Sequence, residues 1–227
     1  MKTNNDIEYI YEKLSSLYPT YSNKKPKSKI YSKAYTSLIG VMLSAQSQDK
    51  RTAVACNQLF ALADTPEEMI KLSREEIIEA IKPAGLYNAK SKNILATSKM
   101  LIEKFNGIVP QTQKELMSLP GVGRKSSDIV MRFVFGAPNI AVDTHVFRLL
   151  WRLGWADSLD EGKASITVNN TTPSKYKYGA HMWLITHAKK VCKSKSPNCD
   201  PCVISAACDR RDIDIPKSKL RQNLNAQ

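Results

Sequence analysis

The stretch Leu119-Pro-Gly-Val-Gly-Arg-Lys125 decides how this chain is read. One proline and two glycines end one helix, and the next starts at once, so Gln113–Phe135 reads as helix, tight turn, helix. Gly121 and Gly123 permit a positive φ or a close backbone approach. With no side chains in the way, the N–H groups of the turn, from Gly121 through Val122 and Gly123 to Arg124, can point at an anion. A phosphate held this way is gripped without regard to base sequence. A lone Gly-x-Gly fits an ordinary helix–helix turn equally well; the whole string is more specific. About twenty residues on, Ala141-Val-Asp-Thr-His145 puts Asp143 where a helix over about 144–153 begins, able to accept backbone N–H bonds as its N-cap.

Outward from this turn the pattern is helical nearly throughout. Residues 6–18 place Ile7, Ile10, Leu14 and Leu17 at helical spacing. Residues 34–45 do so with Leu38, Val41 and Met42, and 50–62 with Val54, Leu59 and Leu62. Thr65-Pro66 is an N-cap followed by proline at the first helical position. Ser73-x-x-Glu76 and Thr112-x-x-Glu115 match the capping box. A helix over about 88–106 stops at Asn106-Gly107, and 125–135 stops at Gly136. The segment around 158–174, with Asn169-Asn-Thr-Thr-Pro173, is poor in helix formers. No sustained period-two stretch occurs, so the fold is expected to be all-α. No internal repeat or long linker is visible.

Composition narrows the partner. Lys and Arg number 34 against 21 Asp and Glu, a net charge of +13, which favours a polyanion, nucleic acid before an anionic membrane. Basic residues are dense at Lys24–Lys33 and Lys189–Lys195. No apolar run approaches a membrane span, and Met1-Lys-Thr-Asn-Asn-Asp opens no signal-peptide core. A cytoplasmic protein without membrane attachment is expected, so its cysteines do not read as a disulfide framework. Cys56 stands alone in an apolar helical pattern and is expected to be a buried free thiol.

The other four, Cys192, Cys199, Cys202 and Cys208, are spaced C-x6-C-x2-C-x5-C. Four thiolates so close in an intracellular chain point to a metal site. Zinc sites usually show two C-x2-C-like pairs; only one exists here. The first loop, Lys193-Ser-Lys195-Ser-Pro-Asn, is basic. Pinned at Cys192 and Cys199, it would hold Lys193 and Lys195 against phosphates.

Taken together, the chain resembles the helix-hairpin-helix DNA glycosylases, in their endonuclease III branch. The resemblance covers about residues 30–212. It rests on Ser44-Ala-Gln46, Gly85-Leu-Tyr-Asn88, Leu119–Lys125, Ala141–His145 and the cysteine cluster, all in the family's order. It implies a two-lobed all-α fold with a C-terminal iron–sulfur cluster loop. One domain of about six helices would span 27–137, with the hairpin at about 113–135. Residues 1–26 plus 138–213 would form the cluster domain, and 214–227 a basic, disordered tail. DNA would lie in the groove between the domains, where Lys125 and Asp143 would face each other. The cysteine spacing matches the family's 4Fe-4S cluster, and hairpin carbonyls, here Met117, Leu119 and Val122, would bind a sodium or potassium ion that bridges to phosphate.

The resemblance also implies the chemistry. Lys125 would attack C1′ of a damaged nucleotide as the neutral amine, expel the base and form a Schiff base, after which β-elimination cuts the strand. Its place after Arg124 at a helix start supplies two influences that favour the neutral amine. From the local string alone, a lysine touching phosphate fits as well. Asp143 would stabilise positive charge on the sugar; a purely structural cap explains Asp-Thr equally. His145 reads as a packing residue. A base inside the stack must be extruded, and Gln46 and Leu86 match the family's residues that fill the hole. The implied activity is a DNA glycosylase and abasic-site lyase of base excision repair. It would act as a monomer on duplex DNA carrying oxidised pyrimidines or abasic sites. The same lyase on ultraviolet photoproducts, or a non-catalytic damage-binding module, are the alternatives. An adenine-specific branch is disfavoured because Gly40 stands where it carries a glutamate, and a thymine-mismatch branch because Lys125 stands where it carries tyrosine. Ser47-Gln48-Asp49 departs from the family's Ala-Thr-Asp, and Ser126-Ser127-Asp128 from its Thr-Ala-Asn. Both leave the catalytic pair intact and bear on lesion preference.

Overall fold

The computed structural model describes residues 2–21 and 33–213; the basic stretch before residue 33 and the tail from 214 lie outside them. Among the described residues there is no strand, as the absence of period-two patterning predicts. They divide into two compact units, one of residues 33–137 and one of 2–21 with 138–213.

The 33–137 unit holds α2 (Ala34–Ser44), α3 (Asp49–Leu62), the single turn α4 (Pro66–Met69), α5 (Arg74–Ile81), α6 (Tyr87–Phe105), α7 (Gln113–Ser118) and α8 (Arg124–Phe133). A 3-10 helix, Lys82–Ala84, leads into α6. α2 is apolar nearly all round and buried from Ser37 to Leu43; such a helix must be central. α3, α6 and α8 pack on it. In α3 the buried pair is Ala55 and Leu59, one turn apart, while Val54 and Leu62 lie 47% and 53% exposed. Helical spacing alone does not pick the buried face: the contact stripe runs through Ala55, one residue on from Val54. Leu17 is likewise exposed, whereas Ile7, Ile10 and Leu14 are buried. Cys56 is half-buried, not fully buried, with burial raising its thiol pKa.

The caps behave largely as their sequences dictate. Thr65 and Ser73 accept from the amides of Glu68 and Glu76, and Glu76 returns the bond to the Ser73 amide. Thr112 accepts from the Glu115 amide, but the Glu115 carboxylate takes the Thr112 hydroxyl and not its backbone N–H, so that box is half made. α6 ends with Asn106 and Gly107 both left-handed and the Gly107 amide on the Leu101 carbonyl.

The second unit holds α1 (Asn4–Leu17), α9 (Thr144–Leu153), α10 (Glu161–Thr171) and α11 (Lys177–Lys190). α1 and α9 pack on α11. Its core joins Tyr11, Trp155, Tyr176 and Trp183, whose ring centroids lie 5.1–6.3 Å apart. Tyr11 is fully buried and satisfies its hydroxyl on Thr172. Despite its poor helix formers, 161–171 is helical, and Asn169 is used for something else, described below. No described helix is long and apolar enough to cross a membrane.

Candidate active site and cluster loop

The glycine turn joins α7 to α8. Gly121 has φ +78°, and a Cβ there would meet the Asn93 side chain at 2.6 Å, so glycine is demanded twice. Gly123 is ordinary extended backbone with nothing within 4 Å of a notional Cβ. Of the two glycines, Gly121 alone takes a positive φ, and the protein's own atoms do not require Gly123. As N-cap of α8 Gly123 offers no side-chain bond, so the first-turn amides of the helix stay open to an outside acceptor. Val122 is buried, and its amide closes the turn on the Leu119 carbonyl. Lys125 stands exposed in this first turn. Arg124 is half-buried and donates to Gln113, which donates to the buried Asp128, a chain that draws α8 onto α7.

Gln46 and Leu86 share an unusual trait. Both are exposed, Leu86 at 57%, and both have left-handed backbone, φ +53° and +50°. For a non-glycine residue this costs about 1–2 kcal/mol. Strain of this kind collects where function fixes a side chain. Sequence spacing carries no trace of it.

Asp143 caps α9. Its Oδ1 accepts from the amides of His145 (3.0 Å) and Val146 (2.8 Å), and among the described residues no hydrogen bond reaches Oδ2. The segment leading to it is tied down by side chains. Asn169 pairs with both backbone groups of Ile140, at 2.8 and 2.9 Å, as a neighbouring strand would, and the His181 ring meets the Ala141 carbonyl at 3.1 Å. His145 is half-buried beside the cap with its Nδ1 unpartnered.

All four C-terminal cysteines line one cavity of about 350 Å³, open mouth included, together with Leu149, His187 and Ile204. They are free thiols. Among the described residues no three His, Cys, Asp or Glu side chains are arranged to hold a single metal ion. Burial pushes the Cys202 and Cys208 thiols up, so a bound positive charge is needed to keep them as thiolates. Two arginines, not singled out by the sequence, hold the loop. Arg152 is 4% exposed and donates to the Lys193 and Ser194 carbonyls and, at 3.5 Å, to the Cys192 sulfur. Arg148, one turn earlier, donates to the Ala188 and Cys192 carbonyls. Their signal was legible: two arginines at i, i+4 in an otherwise apolar helix start, Val-Phe-Arg-Leu-Leu-Trp-Arg. The result turns Lys193 and Lys195 outward, both exposed, with Ser196 left-handed at the tip. His187 is fully buried; its Nε2 lies 3.4 Å from the Cys202 sulfur and its Nδ1 3.2 Å from the Tyr18 hydroxyl, and burial pulls its pKa down to about 4.

The family description "HhH-GPD superfamily base excision DNA repair protein" matches residues 39–171. Endonuclease III of Buchnera aphidicola subsp. Baizongia pistaciae is 40% identical over 190 residues, 82% of this chain and 86% of that protein. Among solved structures, a non-covalent endonuclease III–DNA complex superposes with a TM-score of 0.80 at 33% identity, covering 98% of this chain and all of that one. A trapped endonuclease III–DNA covalent intermediate, an estranged-adenine complex, gives 0.81 at 33% identity over the same coverage. The chain belongs to the HhH-GPD superfamily of base excision DNA repair proteins, and within it to the endonuclease III family.

Proposed function

We propose that this protein is a bifunctional DNA glycosylase and abasic-site lyase of base excision repair, with Lys125 as nucleophile and oxidised pyrimidines as substrates. One observation carries the reading: an exposed lysine in the uncapped first turn of α8, directly behind a turn whose Gly123 the protein itself does not need. A relative of the same length and fold has been trapped in covalent linkage to DNA, which supports a covalent step here. The open amides of Gly123 and Arg124 suit a phosphate oxygen, and a side chain at Gly123 would stand in its way. Carbonyls of Met117, Leu119 and Val122 would hold the sodium or potassium ion on the same turn.

The neutral Lys125 amine attacks C1′; the glycosidic bond breaks, and the base leaves with its electron pair and takes up a proton. Breaking of the C1′–O4′ bond, with O4′ taking up a proton to become a hydroxyl, opens the sugar ring and leaves a protonated Schiff base between Lys125 and C1′. Loss of a C2′ proton then breaks the C3′–O bond, and the phosphate leaves. Water releases the lysine. Asp143, its Oδ1 committed to α9 and its Oδ2 free, would stabilise positive charge developing on the sugar. Gln46 and Leu86 would enter the space the extruded nucleotide leaves.

The cysteines would hold a 4Fe-4S cluster. A single zinc needs its ligands to converge at about 2.3 Å, whereas thiols that share one cavity without converging suit a larger group. N–H groups of Arg152 and of the Arg210 backbone already face the sulfurs of Cys192 and Cys208, as thiolates bonded to iron would use. Bound, the cluster would act as a rigid cross-link of the loop presenting Lys193 and Lys195 to phosphates.

Borohydride trapping on duplexes carrying thymine glycol, an abasic site or a pyrimidine dimer tests the reading. A covalent adduct with the first two, abolished in Lys125→Gln, is expected. An adduct with the dimer alone changes the substrate to photoproducts. Tight binding with no adduct on any of the three overturns the lyase.

A further inference from the structure

Lys90 lies one turn into α6 and is 7% exposed, yet no carboxylate meets it among the described residues. Its ammonium donates to two backbone carbonyls, Leu43 at 2.8 Å and Ala84 at 3.1 Å. Each closes an element: Leu43 is in the last turn of α2, and Ala84 ends the 3-10 helix. Helix C-termini offer unpaired carbonyls and partial negative charge, which makes them tolerable partners for a buried cation. A buried ammonium is still costly, and an apolar side chain of the same length would fill the space without desolvation. Stability alone gives little reason for a lysine here.

The two carbonyls show what it holds. Leu43 precedes Gln46 by three residues, and Ala84 precedes Leu86 by two. The backbone N–H of Lys90 is itself bonded to the Leu86 carbonyl at 3.0 Å. Three hydrogen bonds from one residue thus converge on the frames of the two exposed, left-handed side chains.

We propose that Lys90 is a positioning residue for base extrusion: it ties the segment carrying Gln46 to the segment carrying Leu86 and holds both in their strained conformations before DNA arrives. This rests on the reading of Gln46 and Leu86 as the inserting residues. Pre-organised, the pair meets the duplex without first having to be ordered. Released, each short segment relaxes its positive φ, and insertion must pay for re-forming it.

The test compares Lys90→Met with Leu86→Ala and Gln46→Ala. The readouts are single-turnover excision of thymine glycol opposite adenine and the fluorescence rise of a 2-aminopurine beside the lesion, which reports unstacking. Lys90→Met is expected to slow both by about tenfold or more. The loss should shrink when the lesion faces an abasic nucleotide, where no partner base needs holding off. Lys90→Arg, which keeps the donors, should recover part of the rate. Pairing Lys90→Met with Leu86→Ala should add little to the slower single variant, since both act through one insertion step. Equal loss on the two duplexes, or wild-type extrusion by Lys90→Met while Leu86→Ala and Gln46→Ala are slow, overturns the role of Lys90. Wild-type extrusion by Leu86→Ala and Gln46→Ala overturns the insertion reading instead. If Lys90→Met does not fold, Lys90→Gln is read in the same way. Failure of both to fold marks Lys90 as a residue of stability alone and also overturns the inference.

Discussion

The Thr97 hydroxyl donates a 2.8 Å hydrogen bond to the Pro120 carbonyl, fastening the glycine turn to the middle of α6. Lys90, Asn93 and Thr97 follow at helical spacing, so one face of α6 carries the buried lysine, the side chain packed against Gly121 and the hydroxyl that pins the turn, with Leu86 just before its first residue. Thr97 is fully buried. Thr97→Val keeps its shape and leaves the Pro120 carbonyl short of a partner, so a loss of about 1–2 kcal/mol is expected in chemical denaturation. If the turn grips DNA phosphates as proposed, DNA affinity should fall equally for all sequences.

The two hairpin glycines should respond oppositely. Gly121→Ala meets both a positive φ and Asn93 and should cost about 1–2 kcal/mol of stability or more. Gly123→Ala has room and ordinary backbone angles, so its melting point should hardly move while DNA binding weakens. Thermal melts paired with binding isotherms would separate the two. Unchanged DNA affinity in a well-folded Gly123→Ala would count against the phosphate grip.

Asp143 combines two roles that can be pulled apart. Asn is as good an N-cap as Asp, so Asp143→Asn should keep stability within about 0.5 kcal/mol, whereas Asp143→Ala should lose about 1 kcal/mol. If the carboxylate charge acts on the sugar, both should lose about a hundredfold or more in single-turnover base release. Full activity in a stable Asp143→Asn would reduce Asp143 to a cap.

Arg152 is expected to set how firmly the cysteine loop is held. Arg152→Met removes the part-buried bonds to the Lys193 and Ser194 carbonyls, at about 1–2 kcal/mol. If the cysteines hold the proposed cluster and the loop meets phosphates, purified protein should show less visible absorbance per chain and a weaker salt dependence of DNA binding, as Lys193 and Lys195 lose their fixed placement. Unaltered iron content and an unaltered salt slope would argue against this.

In the metal-free chain, acid should destabilise the cysteine-bearing unit through His187. Its pKa falls from 6.5 to about 4 on burial, so between these values the unfolded chain binds the proton and the folded one does not. Stability from this group is therefore full above pH 6.5 and is lost as pH drops toward 4, by at most about 3 kcal/mol. The melting temperatures of wild type and His187→Gln, measured across that range, should converge as pH falls. Parallel curves would mean that His187 titrates normally.

Much of this molecule was legible in the chain because its signals are local. Caps at Thr65, Ser73 and Asp143, the left-handed stop at Gly107 and the turn at Gly121 each depend on a few neighbouring residues. What stayed hidden depends on partners far along the chain. Lys90 looks like any surface lysine until Leu43 and Ala84 fold against it. Asn169 looks like a poor helix former until it pairs with Ile140. Val54 and Leu62 fit the helical pattern of α3, and only its packing selects Ala55 and Leu59 as the buried stripe.

The linear string alone settles the helical class, the glycine turn, the lysine behind it, the aspartate cap and four cysteines close in sequence, because short-range backbone preferences and spacing need no distant contact. Only the folded packing decides that Gly121 is required while Gly123 is free, that Gln46 and Leu86 stand out in strained conformations, and that the buried Lys90 and Arg152 and the half-buried Arg148 hold loops. Those properties reside in desolvation and in hydrogen bonds between segments tens of residues apart, and both come into being when the chain closes on itself.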